Sequence, residues 1–294
     1  MLQDKIYELC CKLNENEENV VILPQTVKRY ASAFRSVIRL AVEEKIIDKD
    51  PFTEGMKYPK IFKPNIPCLD RRDYDVIVQY LTGKVNAPSP ELVRDDVMLA
   101  CGSLGGLRRG EMVALTWSHI ENLDSATRTN VRISIARLAY QPKGEKTTKG
   151  NPKSVDSVRT FTIPKLFADV LWRWREDLKT RGVPVTGNSH VLNDGDGEII
   201  SIYSPTKRFK PYLSTVFGQD KDVTLHSLRH TFASMLSMTG TSPDTIRDVL
   251  GHDDLKTTQI YLHALQLKEE DLMKNMNDYH AAQVVGEEEP KNEN

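Results

Sequence analysis

Apolar positions along the first third of the chain recur at helical spacing. Val27, Tyr30, Phe34, Val37, Ile38 and Ala41 predict an amphipathic helix over 24–47, and at about 100° per residue Lys28, Arg35 and Arg39 fall on a stripe away from that apolar face. Asp50-Pro51 should end it, because the residue before proline avoids the helical region. Between Tyr58 and Pro67, Pro59, Pro64 and Pro67 alternate with Lys60 and Lys63, the composition of an extended basic linker. Helical periodicity returns at 74–81, 97–104 and 109–117. Alternation at 131–135 and 158–163 predicts two strands paired as a hairpin around a long polar, lysine-bearing segment. Leu166, Val170, Leu171, Trp174 and Leu178 mark a further helix, and 225–238 another, stopped by Gly240. Ser242-Pro243 supplies a cap and a first-turn proline for a helix ending near Gly251, and a last helix is expected over 257–267.

Composition narrows the class. With 39% hydrophobic and 28% charged residues over 294 positions the chain can bury a real core. Its longest apolar run, Val97 to Cys101, is far too short to span a bilayer, and the N-terminus lacks a basic patch followed by an apolar stretch; a cytoplasmic protein with no membrane partner is expected. Cys10, Cys11, Cys68 and Cys101 show no CxxC spacing, which argues against a zinc ribbon or a disulfide framework. The formal net charge of -1 conceals an uneven distribution. From Lys268 to Asn294 there are three basic and eight acidic residues, which leaves 37 basic against 33 acidic ahead of that tail. The stretch after Ala281 is acidic, nearly without aromatics, and expected to be disordered.

Four places carry candidate chemistry. In Leu104-Gly-Gly-Leu-Arg-Arg-Gly-Glu111 the glycines bring a turn to a helix start and set Arg108 at its edge, an arrangement suited to an anion. No Lys-Ser or Lys-Thr follows and no strand precedes, so a nucleotide-binding loop is discounted. His226-Ser-Leu-Arg229 places a histidine and an arginine on one helical face. His226 and His230, four apart, could bind a metal, but neither an intervening glutamate nor a third ligand accompanies them, and no metal or other cofactor is expected. Leu250-Gly-His252 and Thr257-Thr-Gln-Ile-Tyr261 complete the set. Singly, each has a bland reading as a surface pair, a core tyrosine or a solvated charge.

In this order the elements resemble the tyrosine recombinase, or phage integrase, family over roughly Cys68 to Leu267. Between the first two, Pro152-Lys-Ser-Val-Asp-Ser-Val-Arg-Thr160 is similar to the family's hairpin with its mobile lysine; Lys153 matches best by its place, with Lys146 and Lys149 close enough to remain alternatives. The resemblance implies a mixed α+β, mainly α fold: a small helical DNA-binding part and a larger helical catalytic domain carrying a small β-sheet. It implies a core-binding region at 1–57, shortened and with no arm-site domain before it, a linker at 58–67, a catalytic domain at 68–280 and a tail at 281–294. It also implies metal-independent DNA cleavage and rejoining, with Tyr261 as nucleophile and Arg108, Arg229 and His252 on the phosphate. His226 would serve as acid and base, and Lys153 as proton donor to the leaving oxygen. Lys28, Arg35, Arg39, Lys60 and Lys63 would contact DNA. The implied partners are double-stranded attachment or recombination sites and a homotetramer in the synapse, with room for an accessory DNA-bending or directionality factor. Two other readings are a DNA-binding remnant that retains the fold without recombining, against which the six active-site candidates favour an enzyme, and a type IB topoisomerase with the same chemistry, against which the Leu-Gly-His252 element and the compact chain favour the recombinase.

Overall fold

The computed structural model describes residues 24–50, 69–88, 92–142, 144–150, 158–221 and 223–251. The chain divides into two units, residues 1–65 and 66–294.

In the first unit, helix α1 spans Pro24–Glu43. It stops short of the expected Ile47 because Lys45 takes a left-handed conformation, φ 55°, and the Ile46 N–H turns back to the Ala41 carbonyl at 2.8 Å. The apolar stripe is unevenly covered: Tyr30, Phe34 and Val37 are 58%, 50% and 62% exposed, Ile38 and Ala41 are half-buried, and Ala31 is buried. Among the described residues this unit has no second helix or strand to cover the stripe. Arg39 is exposed and Arg35 is half-buried, 3.8 Å from Asp50, so the two do not present equivalent charge. The side chain of Lys28, and all of Lys60 and Lys63, lie outside the described residues.

The second unit is built around α3, Arg94–Ser103, which is buried on every side. A helix enclosed all round must satisfy its charges internally. Asp96 accepts from the Tyr80 and Tyr212 hydroxyls at 3.1 and 2.6 Å and from the Val93 N–H at 2.8 Å, while Asp95 takes the Arg208 guanidinium at 3.1 Å and Arg94 pairs with Asp194. Burial and the Asp96 charge push the Tyr80 hydroxyl up to about 12. Cys101, also on α3, is buried, and burial raises its thiol.

Around α3 pack α2 (Arg71–Asn86), α5 (Lys165–Thr180), α6 (Ser204–Phe217) and α7 (Leu225–Met238). Short α4 (Arg109–Ala114) follows α3 across a glycine turn, and α8 (Pro243–Leu250) packs on α7. The expected segments at 74–81, 166–178 and 225–238 fall within these helices, 97–104 overruns α3 by one residue, and 109–117 overruns α4, which ends at Ala114. Helix α6 was not anticipated: Pro205 and Pro211 disguise it. Pro205 occupies the first turn, where a missing N–H costs nothing, and Phe209, Leu213 and Val216 still keep a buried helical face.

Strands β1 (Ile120–Glu121), β2 (Arg132–Ile135) and β5 (Arg159–Thr162) form an antiparallel sheet in the order β1-β2-β5. The expected pairing holds, with Ile133 opposite Phe161 and Ile135 opposite Arg159. The polar segment between them is not plain loop, since β3 (Leu138–Tyr140) and β4 (Thr148–Gly150) make a second hairpin within it. Helix α4 packs on β3 closely enough that a Cβ on Gly110 would stand 2.6 Å from Leu138. No helix among the described residues is long and apolar enough to cross a membrane.

Candidate active site

The turn after α3 sets the first group. Gly106 is left-handed, φ 61°, and a Cβ there would stand 2.4 Å from Phe232, so only glycine serves at this position. The turn delivers Arg108 to the N-cap of α4. The anion at that helix start belongs to the protein: Glu111, 1% exposed, accepts the Arg108 backbone N–H at 2.8 Å and its Nη1 at 2.8 Å. Arg108 remains about one-third exposed, and its Nη2 donates to the Gly251 carbonyl at 2.6 Å.

The second group comes from α7. Thr224 caps it by accepting the Ser227 N–H at 3.1 Å, which fixes the turn bearing His226 and Arg229. His226 is exposed and lines a cleft of about 310 Å³ with Arg108, Arg109, Thr206 and Thr224. Arg229 lies below, 1% exposed, with Nη1 on the Gly106 carbonyl and Nη2 on the Leu250 carbonyl, both at 2.6 Å. Its Nη1 is 3.8 Å from Glu111. Spacing of three thus puts the two residues on one side of α7, yet only His226 reaches the cleft surface.

Electrostatics follow from this packing. Burial alone would raise the Glu111 carboxyl, but hydrogen bonds and charge from Arg159, then the charges of Arg229 and Arg108, bring it down to about 2. Partial burial, then Arg229 and Arg108, lowers His226 below the ordinary histidine value of 6.5. His230 is buried and meets His226 edge to face, ring centroids 4.5 Å apart. Burial first, then His226 and Arg229, takes His230 down to about 4.

The third group is the end of α8. Ser242 accepts the Thr245 N–H at 3.2 Å, and Gly251, φ 63°, closes the helix as expected. His252 follows directly. His252, Tyr261, the helix expected over 257–267 and Lys153 lie outside the described residues. Of the alternative lysines, Lys149 is exposed in β4, opposite Ala139, and its charge, second to burial, helps depress His119 and His190; Lys146 is exposed in the turn before β4.

Two residues of this cluster escape attention in the linear pattern. Glu111 stands three after Arg108, the spacing at which a carboxylate returns to a helix N-cap. Arg159 occupies an inward slot in the alternation Arg159-x-Phe161-x-Ile163, and a charge at a core position is itself a signal.

A model of the phage integrase family matches residues 68–268. The chain is 28% identical over 246 residues to the tyrosine recombinase XerD of Lacticaseibacillus casei, covering 84% of this chain and 74% of that protein. It is likewise 28% identical over 252 residues to XerD of Pseudomonas putida, covering 83% and 73%. The backbone is similar to that of the Tn1549 transposon integrase in complex with transposon right end DNA, with a TM-score of 0.67 at 16% identity over 92% of this chain and 85% of that one. It is also similar to XerA recombinase, TM-score 0.51 at 18% identity over 92% and 89%. At these identities the structural likeness is one of fold.

Proposed function

The chain belongs to the phage integrase family, and from that premise we propose that it is a site-specific DNA recombinase that cleaves and rejoins duplex DNA through a phosphotyrosyl intermediate. The observation that carries the reading is the shared cleft. Arg108 and His226, 118 positions apart in sequence, face one opening, and Glu111 ties Arg108 to the deeper Arg229.

Phosphodiester exchange needs a nucleophile, cations on the non-bridging oxygens and a proton for the departing oxygen. Tyr261 is the proposed nucleophile. Its hydroxyl attacks phosphorus, the bond to the 5′-oxygen breaks, and a 3′-phosphotyrosyl bond takes its place. Arginine keeps its charge at any working pH and offers a planar donor fork, which suits it to the pentacoordinate phosphate; Arg108 offers that fork at the cleft, whereas Arg229, buried with both Nη groups on carbonyls, would have to exchange those partners to reach the phosphate. His252 adds a hydrogen bond. His226, neutral at pH 7 because its value is depressed, is suited to take the Tyr261 proton. Lys153 delivers a proton to the leaving 5′-hydroxyl. A strand with a free 5′-hydroxyl reverses the step, so rejoining consumes no nucleotide triphosphate. In this reading residues 1–57 and the linker at 58–67 add backbone contacts through Lys28, Arg35, Arg39, Lys60 and Lys63, and four copies act together on two sites.

The test uses duplexes selected by the protein from a random-sequence pool and nicked so that cleavage traps the adduct. A denaturation-resistant protein–DNA complex is expected, and Tyr261→Phe should abolish it. Persistence of the band in that variant would place the nucleophile elsewhere. Strand exchange between two such duplexes, rather than relaxation of one, would separate a recombinase from a topoisomerase.

A further inference from the structure

Strand alternation turns Arg159 inward, opposite Ile135 and over the ring of Phe161. Its guanidinium then reaches two structures at once. Nη1 and Nη2 donate to the two oxygens of Glu111 at 3.1 and 2.9 Å, and Nε donates to the Val249 carbonyl at 2.6 Å. The last carbonyls of a helix lack intrahelical donors and carry partial negative charge. At the end of α8 three successive ones are taken by three arginines: Val249 by Arg159, Leu250 by Arg229 and Gly251 by Arg108, each at 2.6 Å. The fit has no slack, since a Cβ on Gly251 would stand 2.9 Å from Arg159 Nη1. His252 is the next residue.

We propose that Arg159 is a positioning residue for strand cleavage, holding the end of α8, from which His252 departs, in fixed relation to Glu111 and the cleft-lining Arg108. This rests on the reading of Arg108 and His252 as phosphate-holding groups. Arg159 is not among the residues that line the cleft. Its effect is geometric, and it requires the planar fork: a lysine ammonium at the same place cannot bond both Glu111 oxygens and a carbonyl on the far side. Loosening a reacting assembly by about 1 Å costs on the order of a hundredfold in rate.

The experiment uses the full chain, the nicked duplexes described above, and the Arg159→Lys variant. Wild type must first form the Tyr261 adduct. If it does not, the recombinase reading fails and the present one with it. Given that adduct, Arg159→Lys should bind DNA within about threefold of wild type, keep its circular dichroism, and cleave on the order of a hundredfold more slowly at saturating DNA. Sulfur at the 5′-bridging position should not restore the rate, because the deficit lies in holding the phosphate and not in protonating the leaving group. A wild-type rate at saturating DNA, a loss matched by lost binding, or recovery on the sulfur substrate would overturn the proposal while leaving the recombinase reading intact. Should Arg159→Lys fail to fold, Gly251→Ala presses on the same guanidinium without removing its charge. The same split between binding and cleavage is expected there, and undiminished cleavage would equally overturn the assignment.

Discussion

Replacing Glu111 by glutamine removes one charge from the centre of three. The carboxylate is 1% exposed and accepts four hydrogen bonds, two from Arg108 and two from Arg159, with Arg229 at 3.8 Å. Its pKa stands at about 2 against an ordinary 4.5. At roughly 1.4 kcal/mol per pKa unit, that difference corresponds to about 3 kcal/mol in favour of the folded state, in line with the roughly 3–5 kcal/mol lost when one partner of a buried ion pair is deleted. A carboxyl whose pKa is depressed by folding is protonated first in the unfolded chain. The contribution is therefore complete above about pH 4.5 and disappears as pH falls toward 2. Urea unfolding followed by the fluorescence of Trp117, Trp172 and Trp174 reads this directly, since all three tryptophans lie in the same unit as Glu111. Glu111→Gln should be less stable than wild type by about 3 kcal/mol at pH 7, and the two stability curves should converge as pH falls from about 4.5 toward 2. A variant within about 1 kcal/mol of wild type at pH 7, or a gap that stays constant on acidification, would show that the carboxylate is not the hub the geometry makes it.

Two further outcomes follow from the site. Because partial burial, Arg229 and Arg108 all depress His226, the acid limb of cleavage at subsaturating DNA should have its midpoint below the ordinary histidine value of 6.5; a midpoint above pH 7 would rule out a neutral His226 as the proton acceptor. Lys153→Ala should cleave an ordinary phosphodiester poorly and recover on a 5′-bridging sulfur substrate, whose thiolate leaves without a proton, and recovery by Lys146→Ala or Lys149→Ala in its place would reassign the donor.

Local chemistry made much of this protein readable in one dimension. Helix α8 begins at a serine cap followed by proline and ends at a left-handed glycine, and each of those preferences acts within a few residues of the chain. The pairing of β2 with β5 was legible because both strands alternate cleanly, and the order of the Arg108, His226, Arg229, His252 and Tyr261 elements carried the family. Misreadings arose where a local signal met a competing one. Pro205 and Pro211 masked α6, whose buried face at Phe209, Leu213 and Val216 outweighs the hydrogen bond that an interior proline removes. The polar stretch between β2 and β5 hid a second hairpin because its stabilising neighbour, Gly110 on α4, is distant in sequence. The stripe on α1 had the right period for burial, yet Tyr30 and Val37 stay exposed while Ile38 and Ala41 are half-buried, because periodicity specifies a face but not what covers it.

The arginine cluster belongs to the tertiary structure alone. Arg108, Arg159 and Arg229 come from a helix cap, a strand and a helix interior, and they meet because packing brings α4, β5 and α7 to the carbonyl end of α8. No short window of sequence contains both a guanidinium and the carbonyl that receives it. Which arginine stays at the cleft surface, as Arg108 does, and which sinks beneath it, as Arg229 does, depends on the solvent each loses to its neighbours, and only the folded chain determines that loss.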